Sequence, residues 1–242
     1  MDKKLHIGTS GWSYEHWKEL FYPERISGDQ MLGFYAKHFK TVEINTTFYR
    51  LPSKQTLKNW YQTVPDHFIF SVKASQYITH RKKLIDPKET THNFFDRVQI
   101  LDDKLGPILF QLPPRWHKNK NRLADFIRVL PTDYHYVFEF RDSTWFSDDI
   151  TELLYKKNVT FCIYDLEGKQ TPFHITNDLV YVRLHGPGAK YQGSYSKDLL
   201  ETWTNRFRSW LDERHEIYCY FNNDYETYAP RNASLLLKLM GN

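Results

Sequence analysis

The fold class this sequence predicts is a single (β/α)₈ barrel. Three observations predict it. Short β-rich runs alternate with amphipathic helical stretches from end to end, and the alternation holds through eight strands. The length of 242 residues suits one such barrel, which typically takes about 250. Strands that alternate with helices are parallel and joined by right-handed crossovers. Eight such units close into a barrel more naturally than they stay open. An open doubly wound sheet would offer a G-x-G-x-x-G turn after its first strand. That position reads Gly8-Thr9-Ser10-Gly11-Trp12-Ser13, a different pattern.

Leu5 to Gly11 reads as strand one, and Asp29 to Phe39 as a helix with Leu32, Tyr35, Ala36 and Phe39 on one face. Thr41 to Tyr49 is strand two, followed by a helix over Ser53 to Val64. Phe68 to Ser75 is strand three, and Lys88 to Leu105 is helical through Phe94, Phe95, Val98 and Leu101. Pro107 to Leu112 is strand four, with a helix over Arg122 to Leu130. His135 to Arg141 is strand five, and Ser147 can cap the next helix, with Asp148 and Asp149 suiting its dipole. Val159 to Asp165 is strand six, after which Glu167 to Asp178 is too short and broken for a full helix. Leu179 to His185 is strand seven, Lys197 to Glu213 a long helix, Glu216 to Asn223 strand eight, and Asn232 to Met240 the closing helix. No linker or composition break divides residues 1–242, which predicts one domain.

A formal charge of +4 is too mild to mark an obligate nucleic-acid binder. No apolar stretch approaches the ~20 residues that cross a bilayer, and no signal-like core follows Met1. Cys162 and Cys219 sit singly in apolar runs, which fits buried thiols in a reducing compartment. The expectation is a cytoplasmic protein with no membrane partner.

Barrel strands alternate between lumen and helix layer. With the apolar phase outward, Glu43, Asn45, Lys73, Gln111, Glu139, Arg141, Tyr181, Arg183 and His185 point inward. Asn222 and Asp224, at the end of strand eight, have no settled phase. These residues lie late in their strands, at the mouth where barrel enzymes keep their sites. Three cations, Lys73, Arg141 and Arg183, meet two carboxylates, Glu43 and Glu139. The plainer reading is a self-neutralising network that plugs the lumen. The surplus cation and His185 favour a site for an anion. The run His185-Gly186-Pro187-Gly188-Ala189-Lys190 supports it, because barrels often hold phosphate on the loop after strand seven. Its plain alternative is an ordinary Gly-Pro-Gly turn. Aromatics at the same strand ends, Trp12, Tyr14, Phe48, Tyr49, Trp145, Tyr191 and Tyr195, pack loops or offer a stacking surface. His80, after strand three, caps a loop or faces the mouth.

Several runs together resemble the YecE-like family, domain of unknown function 72. They are GTSGWSYEHW (8–17), FYP (21–23), TVEINTTFYRLP (41–52), FSVKAS (70–75), ITH (78–80), LGPILFQLPP (105–114), FEFRDSTW (138–145), RLHG (183–186) and YFNND (220–224). They span nearly the whole chain in order. The resemblance implies a TIM-barrel-like fold and brings no established activity with it.

The chemistry expected first is an enzyme, of the phosphate-ester hydrolase type, for a phosphate-bearing or other anionic substrate. Its partner is an anionic small molecule or a nucleic-acid strand. Glu43, Glu139 and His185 are the candidate catalytic groups. Trp12, Asn45, Tyr49, Lys73, His80, Gln111, Arg141, Arg183, Gly186, Gly188, Asn222 and Asp224 are the candidate binding residues. Three alternatives stand beside it. One is a glycosidase-like pair of Glu43 and Glu139. Another is a divalent metal on His185, Glu43, Glu139 and Asp224, although no cofactor motif is present. The last is a binding module without turnover.

Overall fold

The computed structural model describes residues 4–188 and 191–241. Eight strands run parallel: β1 (Leu5–Thr9), β2 (Thr41–Ile44), β3 (Ile69–Lys73), β4 (Leu105–Gln111), β5 (Tyr136–Glu139), β6 (Thr160–Leu166), β7 (Leu179–Leu184) and β8 (Glu216–Phe221). The ladder runs β1-β8-β7-β6-β5-β4-β3-β2. A two-residue strand, Lys169–Gln170, folds back antiparallel on β6 where the sequence lacks a helix.

The helices are α1 (Gly28–Tyr35), a single turn α2 (Thr46–Tyr49), α3 (Lys54–Thr63), α4 (Pro87–Val98), α5 (Lys120–Arg128), α6 (Asp148–Lys156), α7 (Lys197–Asp212) and α8 (Tyr228–Met240). Ser53, Asn119 and Ser196 cap α3, α5 and α7 by accepting from Thr56, Arg122 and Leu199 main-chain N–H groups. Ser147 stands at the N-cap of α6, but its hydroxyl donates to the Asp149 carboxylate instead. The helices pack a layer of buried aromatics against the outer face of the strands, including Phe70, Phe110, Phe126, Phe138 and Phe140.

Three predicted elements change shape. Strand two ends at Ile44 and not Tyr49, because Asn45 turns helical and Thr47 Oγ1 donates to the Ile44 and Lys73 carbonyls. Asn45 and Tyr49 therefore leave the strand's alternation. The long helix over Lys88 to Leu105 stops at Val98 and tightens into a 3₁₀ stretch, Gln99–Lys104, broken at Asp102 with φ 45°. Strand seven ends one residue before His185, although His185 N–H still donates to Asp165 O at 2.8 Å.

Closure between β1 and β2 is narrow. One bridge pairs Ser10 with Glu43, and Gly11 N–H donates to the Glu43 carbonyl at 2.8 Å. Below it, the Tyr35 hydroxyl accepts from Thr9 N–H at 2.9 Å and donates to the Thr41 carbonyl at 3.1 Å. A phenol thus stands in for a rung of main-chain bonding. Gly8 permits the approach, since a Cβ there would lie 2.2 Å from the Thr41 oxygen.

The lumen has two levels. The N-terminal level is a small cluster of its own: Leu109, Val137, Cys162, Leu179, Tyr181, Tyr218 and Tyr220, with Ile69 against it. Both cysteines are free and buried. The C-terminal level is charged.

Candidate functional site

Alternation within the strands stacks the polar side chains above that cluster. Arg183, on β7, is fully buried and reaches both carboxylates. Its Nη2 donates to Glu43 Oε1 at 2.7 Å, and its Nη1 donates to Glu139 Oε2 at 2.5 Å. Glu43, on β2, accepts further bonds from Ser10 Oγ and Tyr181 OH, each at 2.7 Å. Glu139, at the end of β5, accepts from Gln111 Nε2 at 2.7 Å and from Arg141 Nε. Each oxygen of the two buried carboxylates is thus met by at least one donor, as buried carboxylates require.

Electrostatics follow from these contacts. Burial opposes ionisation of Glu139, but Arg141 and Arg183 outweigh it and hold the carboxyl well below its usual range. Arg183 is disfavoured by burial, and Glu43 and Glu139 more than restore its charge. His185 is fully buried, and burial, Arg141 and Arg183 keep it neutral. Arg141 Nη2 lies 2.9 Å from His185 Nε2. A guanidinium only donates, so Nε2 carries the lone pair and Nδ1 the proton. Asn222 Nδ2 lies 3.0 Å from Nδ1, so a proton on Nδ1 calls for the Asn222 amide turned over to present its oxygen there.

Lys73 is different. It closes β3 with 9% exposure, yet among the described residues its Nζ meets only the ring of Phe48, 4.1 Å from the centroid. Burial, then Arg183, lowers it to about 7 against the pull of Glu139 and Glu43. The surplus cation of the sequence is therefore a half-charged amine at neutral pH. His80 joins it from a π-helical turn, Tyr77–Arg81, with its ring edge-on to Phe48 at 5.0 Å. Burial, Lys73 and Arg141 bring His80 down to about 4. Single π turns of this kind often accompany functional sites.

The other candidates scatter. Trp12 is buried against Trp60 in the helix layer, and Trp145 is stacked on Phe140 with its Nε1 on the Trp116 carbonyl. Tyr49 is 73% exposed. Asn45 Oδ1 is buried without a partner. The Asp224 carbonyl accepts from His16 Nε2 and Trp17 Nε1, so this residue ties down the β1 loop. Gly186 adopts φ 114°, and its N–H is already taken by the Tyr195 hydroxyl at 3.1 Å, whereas Gly188 is exposed. Lys190 lies outside the described residues. Sequence reasoning missed Ser10 and Tyr164. Continuing the strand-one phase His6, Gly8, Ser10 and the strand-six phase Cys162, Tyr164 would have found both.

Tyr164 matters because Arg141 stacks on its ring, 4.6 Å from the centroid. Both line a cleft of about 470 Å³ that opens between the loops after β4, β5 and β6, with Arg115, Lys169 and Gln170 on its walls. A larger groove of about 750 Å³ runs along α2 and α3 past Tyr49, Arg50 and Trp60, and contains none of the buried network. Arg141 makes the smaller cleft the better candidate site. Among the described residues, no three of His, Cys, Asp and Glu stand together as a metal would need. Arg183 already binds both glutamates, so a cation would have to displace it. The same guanidinium separates the two carboxylates, and both are fully buried, which leaves a sugar no access between them. No helix among the described residues is long and apolar enough to cross a membrane.

Comparison with known proteins places this geometry in a family. Residues 6–242 match the family described as "Protein of unknown function DUF72". The chain is 24% identical to UPF0759 protein YunF of Bacillus subtilis over 98% of its own length and 94% of the relative's. It is 30% identical to UPF0759 protein YecE of Escherichia coli over 59% of its length and 50% of the relative's. A crystal structure of a DUF72 family protein from Thermotoga maritima superposes with a TM-score of 0.86 at 28% identity, covering 98% of this chain and 99% of that one. A DUF72 family protein from Enterococcus faecalis gives 0.85 at 22% identity, over 98% and 96%. The (β/α)₈ barrel and its ordered motifs thus make this chain a member of the DUF72 family, whose activity is not established.

Proposed function

We propose that this protein is an enzyme acting on a small substrate that carries a phosphate or carboxylate, bound at the C-terminal mouth of the barrel. The observation that carries the proposal is the charge pairing. Glu43 and Glu139 are matched by Arg183 and Arg141, so Lys73 is the cation left over. Arg141 also lines the open cleft, with the exposed Arg115 and Lys169 beside it on the same walls. Glu43, Glu139 and Arg183 are positioning residues in this reading. They are fully buried, and Glu139 holds Arg141 through its Nε. His185 fixes the other end of the Arg141 guanidinium.

Thermal-shift titration of purified protein with phosphate, sugar phosphates and small carboxylates tests this. A true ligand at 100 times its Kd is expected to add about 2.7 kcal/mol of stability. Arg141→Ala is expected to lose that gain. No anion-dependent shift in the wild-type protein would overturn the proposal.

A second reading has one observation in its favour. The exposed Tyr49 ring and Arg50 share the 750 Å³ groove beside the mouth, a stacking surface next to a cation. On that reading the partner is a nucleic-acid strand. Binding should then weaken steeply with salt and fall in Tyr49→Ala.

A further inference from the structure

We propose that Lys73 is a nucleophilic amine, and that the substrate is an aldehyde or ketone bearing the anionic group, captured as a Schiff base on Nζ. The inference rests on the reading of the mouth as an anion site and names the reacting partner within it.

The geometry has four parts. First, Lys73 ends β3 on the inward phase, on rigid scaffold and not on a loop. Second, among the described residues its Nζ is bound by no carboxylate, although two lie in the same lumen. Arg183 and Arg141 occupy Glu43 and Glu139 and leave the amine unpaired. A lysine meant to hold structure would be expected to take one of them, as Lys104 takes the Tyr61 and Val64 carbonyls, each at 2.8 Å. Third, the charged and titratable groups that face it are Glu43 from β2, Glu139 and Arg141 from the end of β5, Arg183 from β7 and His80 from the turn after β3. Burial first, then Arg183 and Arg141, disfavour the ammonium against the pull of Glu139 and Glu43, so the free-base amine is populated near neutrality. Desolvation beside other cations is the general device for activating an amine. Fourth, the Phe48 ring beneath Nζ is an apolar floor that excludes water from one face.

The step balances without an added oxidant or metal. The Nζ lone pair attacks the carbonyl carbon, and the C=O pair moves to oxygen. One of the amine's own protons and one proton from solvent leave with that oxygen as water. The nitrogen pair then forms the C=N bond of a protonated imine. His80, which is largely neutral, is suited to carry the proton between nitrogen and oxygen. Arg141 meets the substrate's anionic group in the neighbouring cleft.

The test is reductive trapping on the whole protein at pH 7. Glyoxylate and glycolaldehyde phosphate serve as anionic probes and glycolaldehyde as the neutral one, each with sodium cyanoborohydride, followed by intact mass and peptide mapping. The expected product is a single adduct of the probe mass less one oxygen, on Lys73, at about tenfold or more over the average surface lysine. It should disappear in Lys73→Arg and Lys73→Met, with folding checked by circular dichroism. In the wild-type protein, labelling should rise to half its maximum near pH 7. Equal trapping by the neutral probe at Lys73 would support the amine and overturn the anion reading. Anion-dependent thermal stabilisation without excess labelling at Lys73 would leave the anion reading standing and overturn the amine.

Discussion

The two levels of the lumen solve one problem in opposite ways. At the N-terminal end, tyrosines and small apolar residues fill the barrel, and the Glu216 carboxylate accepts from Tyr218 OH and pairs with His6 Nε2, both at 2.9 Å. Its carboxyl is half-exposed. At the C-terminal end, four charges are bound with no exposure of the central three, and a fifth, Lys73, is left over. The lower level reads as packing with its polar atoms satisfied. The upper level carries a buried cation that stability alone would not keep. Unequal satisfaction between two ends of one cavity marks the functional end better than polarity does.

Substitutions that break the upper level should cost most. Arg183→Met removes the cation that pairs buried Glu43 and one of the two that pair buried Glu139, and a loss of about 3–5 kcal/mol is expected in urea unfolding. A loss under 1 kcal/mol would mean the carboxylates are wetter than the structure shows. Lys73→Met should act in the other direction. The folded amine titrates near 7 and the unfolded one near ~10.4. Between those values the unfolded state holds more protons, so this lysine makes stability rise with pH from about 7 to about 10. Below that window its penalty is complete, on the order of 5 kcal/mol. The variant is expected to be more stable than wild type at pH 6 and to lose the advantage by about pH 10. A variant less stable at pH 6 would show that Lys73 has a partner.

Acid reads the pairing from the carboxylate side. Glu139 is held below its ordinary value despite burial, so its contribution is present above about pH 4.3, the unfolded value, and fades as pH falls through its lower folded one. Glu139→Gln should flatten the acid limb of the stability curve. Glu216→Gln, at the lower level, should cost less than about 1 kcal/mol, since its pairing with His6 is partly solvated. A larger loss there would erase the contrast between the two ends.

Much of this was legible in the residues. The alternation of β-rich and amphipathic runs gave eight strands, because burial on one face imposes a period that local chemistry records. The inward phase placed Glu43, Lys73, Gln111, Glu139, Arg183 and His185 on one level, since strand alternation is geometric. Pairing was not legible. Which guanidinium meets which carboxylate depends on strand stagger, and so the surplus cation could be counted but not assigned to Lys73. Trp12, read as a binding residue, packs against Trp60 in the helix layer, because an indole beside a strand end packs inward as readily as it faces solvent. Asn45 and Tyr49 escaped the alternation through a single hydroxyl, Thr47, whose capture of two carbonyls no periodicity reveals.

The narrow seam between β1 and β2 gives the charged level a second job. Ser10 and Glu43 are the only bridged pair among the described residues across that seam, and Glu43 is also a keystone of the pairing above. Wall and site therefore share atoms. Descendants of this chain that trade Glu43 would keep the main-chain bridge but lose both the Ser10 side-chain bond across the seam and the partner of Arg183. The freedom to diversify lies instead with the cleft loops that carry Arg115, Tyr164 and Lys169, which could be redrafted while the cylinder stays shut.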